Sequence, residues 1–179
     1  MATPTDQWDT IINAQLAAMS CAQLQPGQGF SVVQIVMFPA FHAVSCFVID
    51  ERQHTTELSL IILQNKAGID KRIEEPRHVW SDIVELPLAY YQPLREQIAS
   101  LEPQALTDDV LQTRDGIIVR YQFLRAGAVH NRWMLNPRFS GTADDLRLIQ
   151  MLLMLARDAF GDSTAQSYLA QLHHWYFRT

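Results

Sequence analysis

A chain of 179 residues that is 48% apolar and 18% charged can bury a full core as one domain, 1–179, and is too apolar to be disordered. Its net charge is −5, and its 14 Lys and Arg are scattered, which argues against nucleic-acid binding, since phosphate recognition rewards clustered cations. No apolar run approaches the roughly 18 residues of a membrane helix.

The first element reads as a helix. Thr3 is placed to cap it, Pro4 suits its first position and Asp6 lies where the helix dipole favours an anion. Trp8, Ile11, Ile12, Leu16 and Met19 recur at helical spacing and give one apolar face, and PGQG (26–29) ends the pattern. Three strand-like runs follow, 30–38, 42–50 and 56–65. The first two are separated by Pro39-Ala40-Phe41 and the last two by the polar stretch ERQHT, which suggests an antiparallel meander. Residues 65–85 are left open between an edge strand and a loop. A second helix is expected from Pro87 or Pro93 to Leu101, with a kink or the true start at Pro93, because proline lacks the helical donor.

Ile117, Val119, Tyr121 and Phe123 then alternate as a half-buried strand, Arg125 to Ala128 supplies a glycine-containing turn, and Val129 to Leu135 returns. A long helix follows from about Thr142 to Phe160, capped by Thr142, with Asp144 and Asp145 in its first turn. Ser163 to Gln166 reads as the capping box of a last helix. The order is α-βββ-α-ββ-α-α. This is an α+β fold with helices on an antiparallel sheet of about five or six strands.

Catalytic patterns are missing from the sequence. HExxH, CxxC, GxSxG, GxGxxG and the phosphate-loop pattern do not occur, so no catalytic residue, cofactor or metal is assigned. His173 and His174 project about 100° apart on a helix and suit one ion poorly. The carboxylate pairs Asp50-Glu51, Glu74-Glu75, Asp108-Asp109 and Asp144-Asp145 read as solvation and capping. Cys21 and Cys46 read as small buried hydrophobes of a reducing compartment, and the sequence leaves open whether they pair. MATPTDQWDT has no basic region before an apolar core, so no signal peptide is read there and the expected location is the cytoplasm.

The run His130-Asn131-Arg132-Trp133 invites a catalytic reading, but strand alternation divides it. His130, Arg132 and Met134 share one face, and Asn131, Trp133 and Leu135 the other. Trp133 is expected in the core beside Phe123 or Tyr121, and His130 and Arg132 are expected in solvent as candidates for a partner-facing surface. Asp108, Asp109 and Trp175 are the further partner-binding candidates. Any of Met37, Phe38, Phe41 and Trp175 to Phe177 left exposed would mark an interaction patch.

Two resemblances bear on function. Asp115-Gly116-Ile117, a strand, Gly127, a second strand, Pro137, Asp145-Leu146, the helix LIQMLLMLA and the terminal LHHWYF together resemble the C-terminal half of small bacterial toxin-immunity proteins, over about residues 115–177. Such proteins bind a cognate toxin stoichiometrically and carry no catalytic residues. The element order is similar to that of type III secretion chaperones, which are acidic dimers that bind an extended effector segment. Both imply a cytoplasmic, non-enzymatic protein-binding protein, with a protein partner and, for the chaperone, a homodimer. An acidic chain suits a basic toxin, because complementary charge speeds association. The remaining alternative is a small-molecule enzyme, for which a deep polar pocket holding His130, Asp115 or a carboxylate pair would be the sign.

Overall fold

The computed structural model describes residues 4–21, 24, 31–51, 55–64, 77–104, 116–125 and 127–178. Helix α1 (Pro4–Ala18) leads into strands β1 (Ser31–Pro39), β2 (Val44–Glu51), β3 (Thr56–Gln64) and β4 (Arg77–Leu86), then helix α2 (Leu88–Ala99). Strands β5 (Ile117–Arg125) and β6 (Ala128–Leu135) follow, then the one-turn helix α3 (Pro137–Ser140), the long helix α4 (Ala143–Ala159), helix α5 (Ser163–Leu172) and a π-helical turn, His173–Phe177. The strands form one antiparallel sheet in the order β4-β3-β2-β1-β5-β6. The fold is α+β. β1 to β4 are a meander. The chain then crosses back through α2 and the segment after it, so that β5 adds to the free side of β1.

Helices lie on both faces of the sheet. Odd residues of β1, β2 and β5, such as Ile35, Phe47 and Tyr121, meet α2, α4 and α5 in the larger core. Even residues, such as Val36, Cys46 and Ile118, meet Ile12 and Leu16 of α1, and Met19 just after it, in a smaller cluster. Burial of each such aliphatic side chain contributes roughly 1.5–3 kcal/mol, so two apolar faces explain why the strands are apolar on both sides. Ile11, assigned to the inner stripe of α1, is instead 37% exposed.

Of the stretch left open between strand and loop, residues 77–86 are a strand, while 65–76 lie outside the described residues, as do Thr3 and the stretch 26–29. Other local expectations are corrected. Helix α2 starts at Leu88 and runs through Pro93. Pro93 is exposed and only the backbone bond to Ala89 is forfeited there, while Tyr91, Leu94 and Ile98 keep the inner face buried. The last helix is capped by Asp162, whose carboxylate accepts from the Thr164 and Ala165 amides at 2.7 and 3.3 Å. Ser163 is its first residue. The expected cap of α4 is present: the Asp145 amide donates to the Thr142 hydroxyl at 3.2 Å and the Thr142 amide donates to the Asp145 carboxylate at 3.0 Å.

Candidate binding cleft

The β5–β6 hairpin turns both Arg132 and Trp133 inward. Tyr121 stands opposite Arg132, and Arg120 opposite Trp133. Trp133, only 2% exposed, therefore enters the α1 cluster, with the Arg120 guanidinium 5.6 Å from its ring centre. Tyr121 and Phe123 are on the opposite face, so the expected contact with them is corrected. Arg132 is also not in solvent. It is 7% exposed, and it donates to both oxygens of Asp145 at 2.8 and 2.9 Å and to the Glu102 carbonyl at 2.8 Å. Alternation assigned the face of Arg132 correctly. It could not show that α4 packs over that face and delivers a carboxylate to it. His130 is half-buried and stacks on Phe123 with ring centres 5.6 Å apart. Asp108 and Asp109 lie outside the described residues.

Trp175 is broadly exposed, at 62%. It lines a cleft of about 400 Å³ with Phe41, His42, Gly116, Asn136, Arg138 and Tyr176. Four separate segments meet there: the β1–β2 connection, the entry to β5, the exit from β6 with α3, and the π turn. Phe41 is 72% exposed, while Met37 is buried and Phe38 packs edge-on against Trp8. Tyr176 is half-buried and Phe177 is fully buried. Each aromatic run thus splits into anchors and one exposed ring.

The cleft is held from below. The Tyr168 hydroxyl donates to the Ala43 carbonyl at 2.7 Å and ties α5 to the β1–β2 connection. Burial drives that hydroxyl's pKa far upward, so it stays a donor at physiological pH. Gln150 of α4 donates to the Phe177 carbonyl at 3.2 Å and fixes the π turn. Asn136 sits in the left-handed region, with φ 43°, which asparagine tolerates better than most residues. Its side-chain oxygen accepts from the Ile117 amide at 2.7 Å, and its own amide donates to the Ile117 carbonyl at 2.8 Å. A Cβ on Gly116 would overlap the Asn136 side-chain amide, so any larger residue there would have to displace that side chain where these two cleft walls close.

Within the cleft, His42 Nδ1 and the Tyr176 hydroxyl are hydrogen-bonded at 2.9 Å. The His42 ring meets Tyr176 edge-on and lies 6.3 Å from that of Trp175. Burial pulls the His42 pKa below its ordinary value of 6.5, so the imidazole is neutral at pH 7. The arrangement offers aromatic faces, a neutral imidazole, a phenol and a guanidinium. It suits an apolar or aromatic group carrying polar atoms.

Among the described residues, no group of three or more His, Cys, Asp or Glu converges as metal ligands would. No described helix is long and apolar enough to cross a membrane. His174 packs edge-on against Trp175, and His173 is half-buried. The chain matches no protein-family model, no curated protein and no solved structure. The α+β class is therefore the level at which the fold defines this protein.

Proposed function

We propose that the protein is a non-enzymatic protein-binding protein of the immunity type, acting in the cytoplasm, which docks a cognate toxin or effector on the Phe41–Trp175 rim and seats one partner side chain in the cleft. The observation that carries this reading is the pair of large apolar side chains, 72% and 62% exposed, that both line the same cleft. Exposed aromatics around a pocket are the usual anchors of protein interfaces, where few residues supply most of the binding energy. The net charge of −5 favours a basic partner through long-range attraction.

The test is direct binding of the product of the neighbouring gene. Tight stoichiometric binding that is lost in a Phe41→Ala/Trp175→Ala variant supports the proposal. A neighbour without toxin or secretion features, or binding that survives both substitutions, overturns it. The chaperone alternative requires a homodimer, and β4 makes the order α-ββββ-α-ββ, one strand longer than the order on which that resemblance rests. A monomer by light scattering rejects that alternative. The small-molecule reading is favoured by the cleft's volume and the His42–Tyr176 contact. Saturable binding of a small aromatic acid, competing with the partner, would place the ligand in the same cleft.

A further inference from the structure

The two edges of the sheet are finished differently. Along β6 lies Gln104, whose amide donates to the Asn131 carbonyl at 3.1 Å and whose carbonyl accepts from the Trp133 amide at 2.9 Å. At the other edge β4 pairs with β3, and no described strand lies on its far side. Its even residues Trp80, Val84 and Leu86 pack on the larger core, with Trp80 edge-on to Phe160 at 5.4 Å between ring centres. Val79, Ser81 and Ile83 alternate with them and are exposed, Ile83 at 63%. No described side chain of β4 joins the cluster beneath α1. Leu88 and Tyr90, at the start of α2, are exposed as well, so large apolar side chains gather in solvent over residues 79–90. An open apolar edge is a template for another strand, and a chain that stays single blunts it with lysine, proline or a covering segment. Residues 79–86 contain neither lysine nor proline. We propose that β4 pairs antiparallel with β4 of a second copy about a two-fold axis at Ser81, joining two six-stranded sheets into one.

The pattern of β4 is what selects a second copy. Level side chains in a ladder share a face, so a strand paired with itself sets odd residues against odd. With Ser81 on the axis, Val79 meets Ile83 of the second copy twice over, Asp82 falls level with Trp80, and Glu85 falls level with Arg77, opposite in charge. Moving the axis to Asp82 sets the two Asp82 carboxylates against each other and Val79 against Glu85. Moving it to Trp80 sets Val79 against Ser81. Like charges placed opposite destabilise a ladder and apolar pairs stabilise it, so the Ser81 axis is the favoured register. The register shift of β4 against Ile62 and Leu63 lies toward its start and leaves 80–86 regular.

The backbone fits the same register. The Ile83 amide donates to the Asp82 carboxylate at 2.8 Å, so this N–H is turned to the open edge, where a side-chain oxygen stands in for a strand carbonyl. Backbone groups alternate in direction along a strand, so those of Ser81 face the same way. On pairing, Ile83 exchanges Asp82 for the Val79 carbonyl of the second copy, and the two Ser81 residues bond each other reciprocally. No residue of β4 lines the cleft, so this surface is independent of the partner-binding reading.

The experiment measures the mass of the full chain in solution by light scattering over a range of concentrations. Expected is twice the chain mass, falling to the single mass on dilution. Ile83→Lys should raise the dimer Kd at least about tenfold, since the charge enters the ladder twice, with an unchanged circular dichroism spectrum because the side chain is exposed. Mild oxidation of Ser81→Cys should give a disulfide joining position 81 of the two copies, identified by peptide mapping. The proposal is overturned by a wild-type chain that is monomeric up to its solubility limit, by assemblies larger than a dimer, by a dimer that Ile83→Lys leaves equally tight, or by the absence of the link at position 81. The wild-type mass decides between monomer and dimer even if a variant fails to fold.

Discussion

Arg132 of β6 clamps Asp145 of α4 through two parallel hydrogen bonds of 2.8 and 2.9 Å, with both side chains almost wholly buried. Asp145 also closes the cap of α4 with Thr142. One carboxylate thus starts the longest helix and ties it to the edge of the sheet. Removing one partner of such a pair strands a buried charge, at a cost of about 3–5 kcal/mol. Asp145→Leu and Arg132→Met are each expected to lose stability on that scale in urea unfolding. The double variant should recover much of the loss, because two apolar groups replace the pair. Additive losses would show that the pair is not coupled.

The same carboxylate gives an expected acid sensitivity. Burial alone would raise the pKa of Asp145, but Arg132 and Thr142 together hold it below its ordinary value of 3.8. A depressed folded value means that the ionised form stabilises the fold. The full contribution is present above pH 3.8 and is lost as pH falls through the folded value. Stability measured between pH 6 and pH 2 should therefore drop less steeply in Asp145→Leu than in wild type.

Arg120 illustrates how unequal two partners can be. It is 1% exposed and donates through Nη1 to Asp9 at 2.8 Å and Asn13 at 3.1 Å, while the Asp9 side chain is 33% exposed. Asp9→Ala leaves a buried guanidinium with less compensation and is expected to cost on the order of 2 kcal/mol, below the figure for a fully buried pair. Arg120→Met removes the charge itself and should cost less. The comparison is read from thermal unfolding of both variants, and the reverse ranking would contradict it.

Gly116→Ala should destabilise by about 1–3 kcal/mol through overpacking against the Asn136 amide. Asn136→Gly should cost less, since glycine accepts the left-handed backbone, although the bond to the Ile117 amide is lost. In the double variant the clash disappears, so its destabilisation should fall short of the sum. Denaturant midpoints of the three variants measure this.

At the cleft, Trp175→Ala is expected to weaken partner binding by about 2 kcal/mol, roughly 30-fold in Kd, without changing the fold. It should also wet His42. Because burial is what lowers the His42 pKa, the variant's imidazole should titrate closer to 6.5. Proton NMR of the ring through pH 5–8 follows both proteins.

Much of the architecture was legible because it is local. Period-two alternation located β5 and β6, and the Thr142 cap with Asp144 and Asp145 located the start of α4. The cleft was legible only in fragments: Phe41 and Trp175 each stood in an aromatic run, 134 positions apart at the level of the His42–Tyr176 bond. Nothing periodic marks which ring of a run faces outward. Arg132 was misjudged for a related reason, since alternation gives a side chain's face and not what lies over that face.

By itself the sequence determined the α+β class, the hairpin, the start of α4 and the division of His130 to Trp133 between two faces, because these follow from backbone periodicity and capping chemistry. Only the tertiary structure decided that 77–86 is a strand, that Arg132 belongs to Asp145, and that Phe41 and Trp175 frame one cleft. Each of these depends on packing between segments far apart in the chain, which no local pattern encodes.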